Sequence, residues 1–173
     1  MACAIYSGIS NDCRDNKGGV KKFYITNLSN ISAVTSASGI ISGITMSGSS
    51  KFYTYEQEIN SASATEAPTT NRQNGTFFVD QTVNIMINKR QGSTSYLITA
   101  LAQANVAIIV EEANGKRFLY GETNGLALEP SNSSSGVAMG DRNGYELIFK
   151  GNEPSFAGEI NSSAWSALSS SIV

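Results

Sequence analysis

Both cysteines of the chain, Cys3 and Cys13, lie in its opening stretch, ACAIYSGISNDCRDNKGGVKKFYI, among Asp12, Arg14, Asp15, Gly18 and Gly19. Residues of these types can make a redox pair, a metal loop or an anion-binding turn. A redox pair normally shows C-x-x-C spacing, and here nine residues intervene. A structural zinc site takes about four Cys or His ligands, and the chain has two cysteines and no histidine. Free thiols are the leading reading; a structural disulfide, unusual in a cytoplasmic product, is the second. DCRDNKGG lacks the oxygen spacing and terminal Glu of an EF-hand loop. Gly18-Gly19 ahead of Lys21 lacks the P-loop pattern. A tight turn that launches a strand is the expectation there. GDRNGYE, from Gly140 to Glu146, gives the same answer, because Asp141, Asn143 and Gly144 are turn residues. Glu111 and Glu112 are adjacent near a strand end and point to opposite faces, which makes them a poor acid–base pair. The absence of histidine also removes the commonest general base and transition-metal ligand. No catalytic residue, cofactor site or metal site is assigned, and the chain reads as a non-enzyme.

The elements that position these residues are mostly short and β-prone. The 173 residues suffice for one domain with a real core. Charged residues make up 15%, against roughly 25% in an ordinary soluble domain. Such a weakly charged, polar surface occurs in β-rich proteins that bury surface in assemblies, and in adhesins and binding domains. The net charge of −2 carries none of the basic excess that phosphate binding needs. No basic region followed by an apolar run opens the sequence, and no stretch approaches the roughly 20 apolar residues of a membrane helix. The expectation is a product made in a cytoplasm, without a membrane partner, and soluble until it assembles.

Val20 to Thr26 reads as a strand, with Val20, Lys22, Tyr24 and Thr26 on one face and Lys21, Phe23 and Ile25 on the other. Ile31 to Val34 and Ile40 to Met46 are short β-branched runs. Lys51 to Ile59 and Phe77 to Asn88 read as two arms of one long hairpin. Tyr53, Tyr55 and Ile59 share a face of the first, and Phe77, Val79, Val83, Ile85 and Ile87 one face of the second. Between them, SASATEAPTTNRQNGT reads as a turn-rich tip. In GSTSYLITALAQAN, Leu97, Ala100, Leu101 and Ala104 fall on one helical stripe, with Ser93 or Thr94 as N-cap; packing on a sheet is its default role. Val106 to Val110 is apolar throughout, as in a strand covered on both faces, and Asn114-Gly115 predicts a two-residue type I′ hairpin turn. EPSNSSSG reads as a polar loop or weak edge, and Tyr145, Leu147 and Phe149 alternate against Glu146, Ile148 and Lys150. The Ser-rich last stretch holds Phe156, Ile160, Trp165 and Leu168 as anchors.

AC…SG…CRD…GGVKKFYITNLSNI, FFVDQTVNIMINKRQGSTSYLITALAQANVAIIVEEANGKRFLYGETNGL and GDRNGYELIFKG, taken in this order, resemble a family of structural proteins of tailed bacteriophages that infect gut Bacteroidales, the crAss-like group among them. The resemblance covers Ala2 to Gly151. It implies a tail-tube-like β-sandwich or barrel with one flanking α-helix and a long β-hairpin arm. The domain would span 1–151, with the arm at 51–88 and a C-terminal extension at 152–173. It implies a virion protein that forms a homo-oligomeric ring of the tail, as tail tube or portal-proximal adaptor. Its partners would be other tail or portal proteins and DNA passing without specific binding during genome ejection. Tyr53, Tyr55, Ile59, Phe77, Phe78, Val83 and Ile85 on the arm are the expected oligomerisation residues. The competing reading is a receptor- or glycan-binding or capsid-decorating β module, with Tyr6, Tyr24, Tyr53 and Tyr55 facing sugar.

Overall fold

The computed structural model describes residues 8–9, 16–58 and 60–173. Cys3, Cys13, Tyr6 and Ile59 lie outside the described residues, so the thiol readings and two of the surface assignments concern positions not described. In β1 (Val20–Asn27), Phe23 and Ile25 turn to one side and Tyr24 to the other, all buried. Val20 goes with Phe23 rather than with Tyr24, because a bulge between Val20 and Lys22 resets the alternation.

Two strands then fold on themselves. β2 (Ile31–Ala37) and β3 (Ile40–Met46) pair across Ser38-Gly39, both at positive φ, the geometry of a type I′ turn. β4 (Tyr53–Glu56) runs antiparallel to β1 and does not pair with the long strand after it. The hairpin instead joins β5 (Ser63–Asn71) to β6 (Thr76–Asn88), so most of the stretch expected as a loose tip is strand. The 51–88 arm is thereby corrected: its first limb belongs to a different sheet from its second. α1 (Gly92–Leu101) follows a turn at Lys89, whose φ is 67°. Its N-cap is Gln91, without a side-chain bond, and not Ser93 or Thr94, because the helix starts at Gly92.

β7 (Val106–Glu112) and β8 (Arg117–Tyr120) form the next hairpin. Its loop has three residues rather than two: Gly115 N donates to Glu112 O and Glu112 N to Lys116 O. Gly115 alone takes positive φ there, at 89°, which is a type I turn closed by a left-handed glycine. The chain continues through β9 (Ala127–Leu128), β10 (Asn132–Ser134), β11 (Gly144–Glu153), β12 (Gly158–Ile160) and a second helix, α2 (Ser162–Leu168).

The strands make two sheets stacked as a sandwich, with no closed barrel. The larger has the order β2-β3-β12-β8-β7-β1-β4, and the smaller β10-β11-β6-β5 with β9 beside β11. Among the described residues, the strands pair antiparallel except β12 with β3, and an isolated Phe52–Ile172 bridge is also parallel. Between the sheets lie Phe23, Ile25, Val83, Ile85, Ile108, Leu147 and Phe149. On the far side of the larger sheet, Tyr24, Ile41, Phe52, Ile109 and Leu119 form a second layer under Ile160, Ala164 and Leu168. β7 therefore buries both faces, which is why Val106 to Val110 is apolar at every position.

The boundary expected at Gly151 falls inside β11, and residues 152–173 are no appendage. β12 sits between β3 and β8 in the larger sheet. α2 is capped by Asn161, whose Oδ1 accepts from Ala164 N at 2.7 Å, and covers the second layer. Beyond it, Phe52 N donates to Ser171 O and Thr54 N to Val173 O, both at 2.8 Å. Of the expected anchors, Ile160 and Leu168 are buried, Trp165 is half-buried and Phe156 is exposed.

Candidate assembly surface

The β5–β6 hairpin is built from the turn outward. Asn71 Oδ1 accepts from the backbone N–H groups of Gln73 and Asn74, and Gly75 takes φ 64°. That closes a four-residue loop on the Asn71–Thr76 pair. From there the ladder runs back nine pairs to Ser63–Asn84. Its inner half is core: Val79, Val83 and Ile85 are fully buried. Gln81 shares that face and is also buried, its Nε2 donating to Glu66 Oε1 and its Oε1 accepting from Gly121 N. Glu66 Oε1 accepts from Ala157 N as well, which ties the hairpin to the link leading into β12. The outer half stands clear of the body. Thr69 to Thr76 are all exposed, and Phe77 keeps 51% of its surface in solvent. Among the described residues, no strand lies beyond β5.

A second apolar surface opens where α1 meets the β4 edge. The groove has a volume of about 480 Å³, and no side chain lining it is charged. Leu97, Ala100, Leu101 and Ala104 form one wall, Tyr53 and Tyr55 the other, with Ile25 at its base and Val173 alongside. The helical stripe expected to pack on a sheet is thus real, but it faces an open groove. Leu97 remains 56% exposed, and α1 buries no residue completely. Ile98 and Leu101 of the helix, and Ala104 just beyond it, touch the inter-sheet core. A third apolar feature is the β10–β11 loop. Asp141 Oδ2 accepts from the N–H groups of Val137 and Ala138. Those bonds hold the Asp141 carboxyl below its ordinary value and fix a tip on which Val137 and Met139 are fully exposed.

The structure scatters the residues expected to mediate assembly. Tyr53 is 58% exposed at the groove and Tyr55 is half-buried against the core. Phe77 and Phe78 lie on the projecting half of β6, exposed and half-buried respectively. Val83 and Ile85 are corrected outright: they oppose Phe149 and Leu147 across the β6–β11 ladder and are filled against the protein's own core. The period-two pattern identified their face as buried but not by what. Leu97, Val137 and Met139 escaped the sequence reading. The signal for α1 was the run Tyr96, Leu97, Ile98, Ala100, Leu101, too wide for one buried stripe.

The polar cluster around Glu111 is engaged in contacts within the protein. Glu111 Oε2 accepts from Tyr24 Oη at 2.9 Å and from Arg117 Nε at 3.2 Å. Glu112 turns away to the Asn114 amide. Arg117 stacks 4.1 Å above the Trp165 ring, whose neighbour Tyr24 meets it edge-on. Burial, then the bond to Glu111, pushes the Tyr24 hydroxyl above its ordinary value. Tyr24 is therefore committed inside the protein and unavailable to a sugar, which removes one support of the glycan reading. Among the described residues, no three His, Cys, Asp or Glu side chains gather as a metal site. No helix among them is long and apolar enough to cross a membrane. No family model, curated protein or solved structure matches the chain.

Proposed function

We propose that the chain is a structural virion protein that assembles with copies of itself into a ring of a phage tail, a tail tube or portal-proximal adaptor, around the path of the ejected genome. The observation that carries this reading is the free edge of β5. It is nine residues long, holds one charged side chain and, among the described residues, has no strand beyond it. Open edges of that length invite pairing with another chain unless they are blunted. The other edges are blunted. The β2–β3 pairing is broken by two bulges, one on each strand, β10 has three residues, and β4 lies beside Ser171 to Val173. β5 has only Pro68.

The arm and the uncharged groove lie on different parts of one chain, so arm-to-groove contact between copies would be head-to-tail. Head-to-tail contacts close into rings when the rotation closes. A net charge of −2 suits a channel that DNA crosses without adhering. Together with the resemblance to tail proteins, these features favour ring assembly over a lone binding module.

Purified protein should form closed rings by electron microscopy, and virions should contain it. A protein that stays monomeric at high concentration and is absent from virions would overturn the reading. Phe77→Asp should weaken assembly by about tenfold or more, as loss of an aromatic contact does. Because Phe77 is outside the core, the same change should move folding stability by no more than about 0.5 kcal/mol. Val83→Asp is the contrast, since it should unfold the monomer itself.

A further inference from the structure

The sequence contains four Asn-Gly steps: Asn74-Gly75, Asn114-Gly115, Asn124-Gly125 and Asn143-Gly144. An Asn-Gly step can react with itself. The backbone nitrogen of the glycine, once deprotonated, attacks the asparagine Cγ. The new C–N bond closes a succinimide, the Cγ–Nδ2 bond breaks, and ammonia leaves with the proton. Water then opens the ring at either carbonyl, giving aspartate or isoaspartate. The reaction needs a mobile carboxamide, a glycine N–H not held elsewhere, and room to bring them together.

Three of the steps lack these conditions. Asn114 is held at both ends of its amide, donating to Asn16 Oδ1 and Glu112 Oε2 and accepting from Lys116 N, while Gly115 N donates to Glu112 O. Asn124 Nδ2 donates to Asn152 O at 2.6 Å, and Gly125 N donates to the buried Glu153 carboxylate. Asn143 Oδ1 accepts from Arg90 N. Gly144 is buried in β11, where a Cβ would lie 2.2 Å from Ile87 O.

Asn74-Gly75 is as exposed as Asn114-Gly115 and differs from all three in its hydrogen bonding. Among the described residues, neither the Asn74 carboxamide nor the Gly75 N–H has a hydrogen-bond partner. Both residues are exposed, and a Cβ on Gly75 would meet nothing within 4 Å. The geometry points to Asn74 as a site of spontaneous deamidation, the one Asn-Gly step of this fold that converts in the native state. Conversion places a negative charge beside Arg72 at the tip of the β5–β6 hairpin. The isoaspartate product also adds a methylene to the backbone of a turn closed by the Asn71–Thr76 pair. This inference is independent of ring assembly.

The test is to hold the folded protein in mildly alkaline buffer and map its peptides over time by mass spectrometry, with fragmentation that separates aspartate from isoaspartate. Asn74 should convert about tenfold or more faster than the other three, the suppression expected when their bonded amides must first open locally. In urea-unfolded protein the four rates should converge. Conversion at Asn114, Asn124 or Asn143 that matches or exceeds Asn74 in the folded protein would overturn the assignment. So would an Asn74 that stays intact while a peptide spanning 70–79 converts.

Discussion

A chain cut after Glu153 is expected to lose cooperative folding. The cut preserves every strand of the smaller sheet but removes β12, α2 and the segment beside β4. Without β12, the β2–β3 hairpin has no partner joining it to β8. Without Ile160, Ala164 and Leu168, the side chains of Ile41, Phe52, Ile109 and Leu119, all fully buried, open to water. Exposing a large apolar side chain costs about 1.5–3 kcal/mol, and four together rival the roughly 5–15 kcal/mol that holds an ordinary domain folded. Urea titration followed by circular dichroism should show no sigmoidal transition for the shortened chain. A transition at the full-length midpoint would show that residues 154–173 are an appendage after all. A milder variant keeps the idea testable if the short chain cannot be purified: Leu168→Ala should cost about 2–5 kcal/mol.

Glu153→Ala is expected to be nearly as damaging, from a single side chain. Glu153 is buried, and its carboxylate collects three backbone N–H groups: Thr123 at 3.0 Å, Asn124 at 2.8 Å and Gly125 at 3.1 Å. These bonds fold the link between β8 and β9 back onto the end of β11. Hydrogen bonds to a charged group contribute about 1.5–3 kcal/mol each, and the Gly125 donor is buried, so the loss should reach about 3 kcal/mol by urea unfolding. Glu153→Gln keeps one acceptor oxygen but turns an amide NH2 toward the donors, and should fall between wild type and alanine. A second readout isolates the mechanism. Glu122 has its carboxyl raised by burial and then by the charge of Glu153. Removing that charge should bring the Glu122 titration down toward the ordinary carboxylate range, as NMR can follow. An unchanged midpoint together with an unmoved Glu122 would mean that the carboxylate is not what holds this loop.

The sequence was informative wherever one periodicity governed a whole segment. Val106 to Val110 declared a doubly covered strand because every position is apolar. Tyr145, Leu147 and Phe149 declared a half-buried one because they alternate with Glu146, Ile148 and Lys150, and all three are buried as expected. Pairing partners were much less legible. TEAPTTN carries a proline and threonines, so it looked like loop. It became β5 because β6 offers it a complete ladder, a tertiary effect that local propensity does not contain. The Val20 bulge was invisible for the same reason. Ile160 and Leu168 were visible as anchors, but nothing local in GEI announces a strand inserted between β3 and β8. The candidate surface was half legible. Exposed Tyr53 and Phe77 were singled out with buried Val83 and Ile85, since alternation distinguishes two faces of a strand without saying which neighbour covers each.

The position of β12 also has a consequence for timing. β12 and α2 follow every other strand in the chain, so a ribosome delivers them after all the others. Until then the larger sheet cannot be joined across its middle: β3 waits for a partner more than a hundred residues downstream. Such distant closures make folding slow, and they leave apolar strands accessible to neighbouring nascent chains in the meantime. The body that carries the β5 edge is thus completed only after all its other strands have been made. Its hazardous interval is then the time between the emergence of β6 and the arrival of β12.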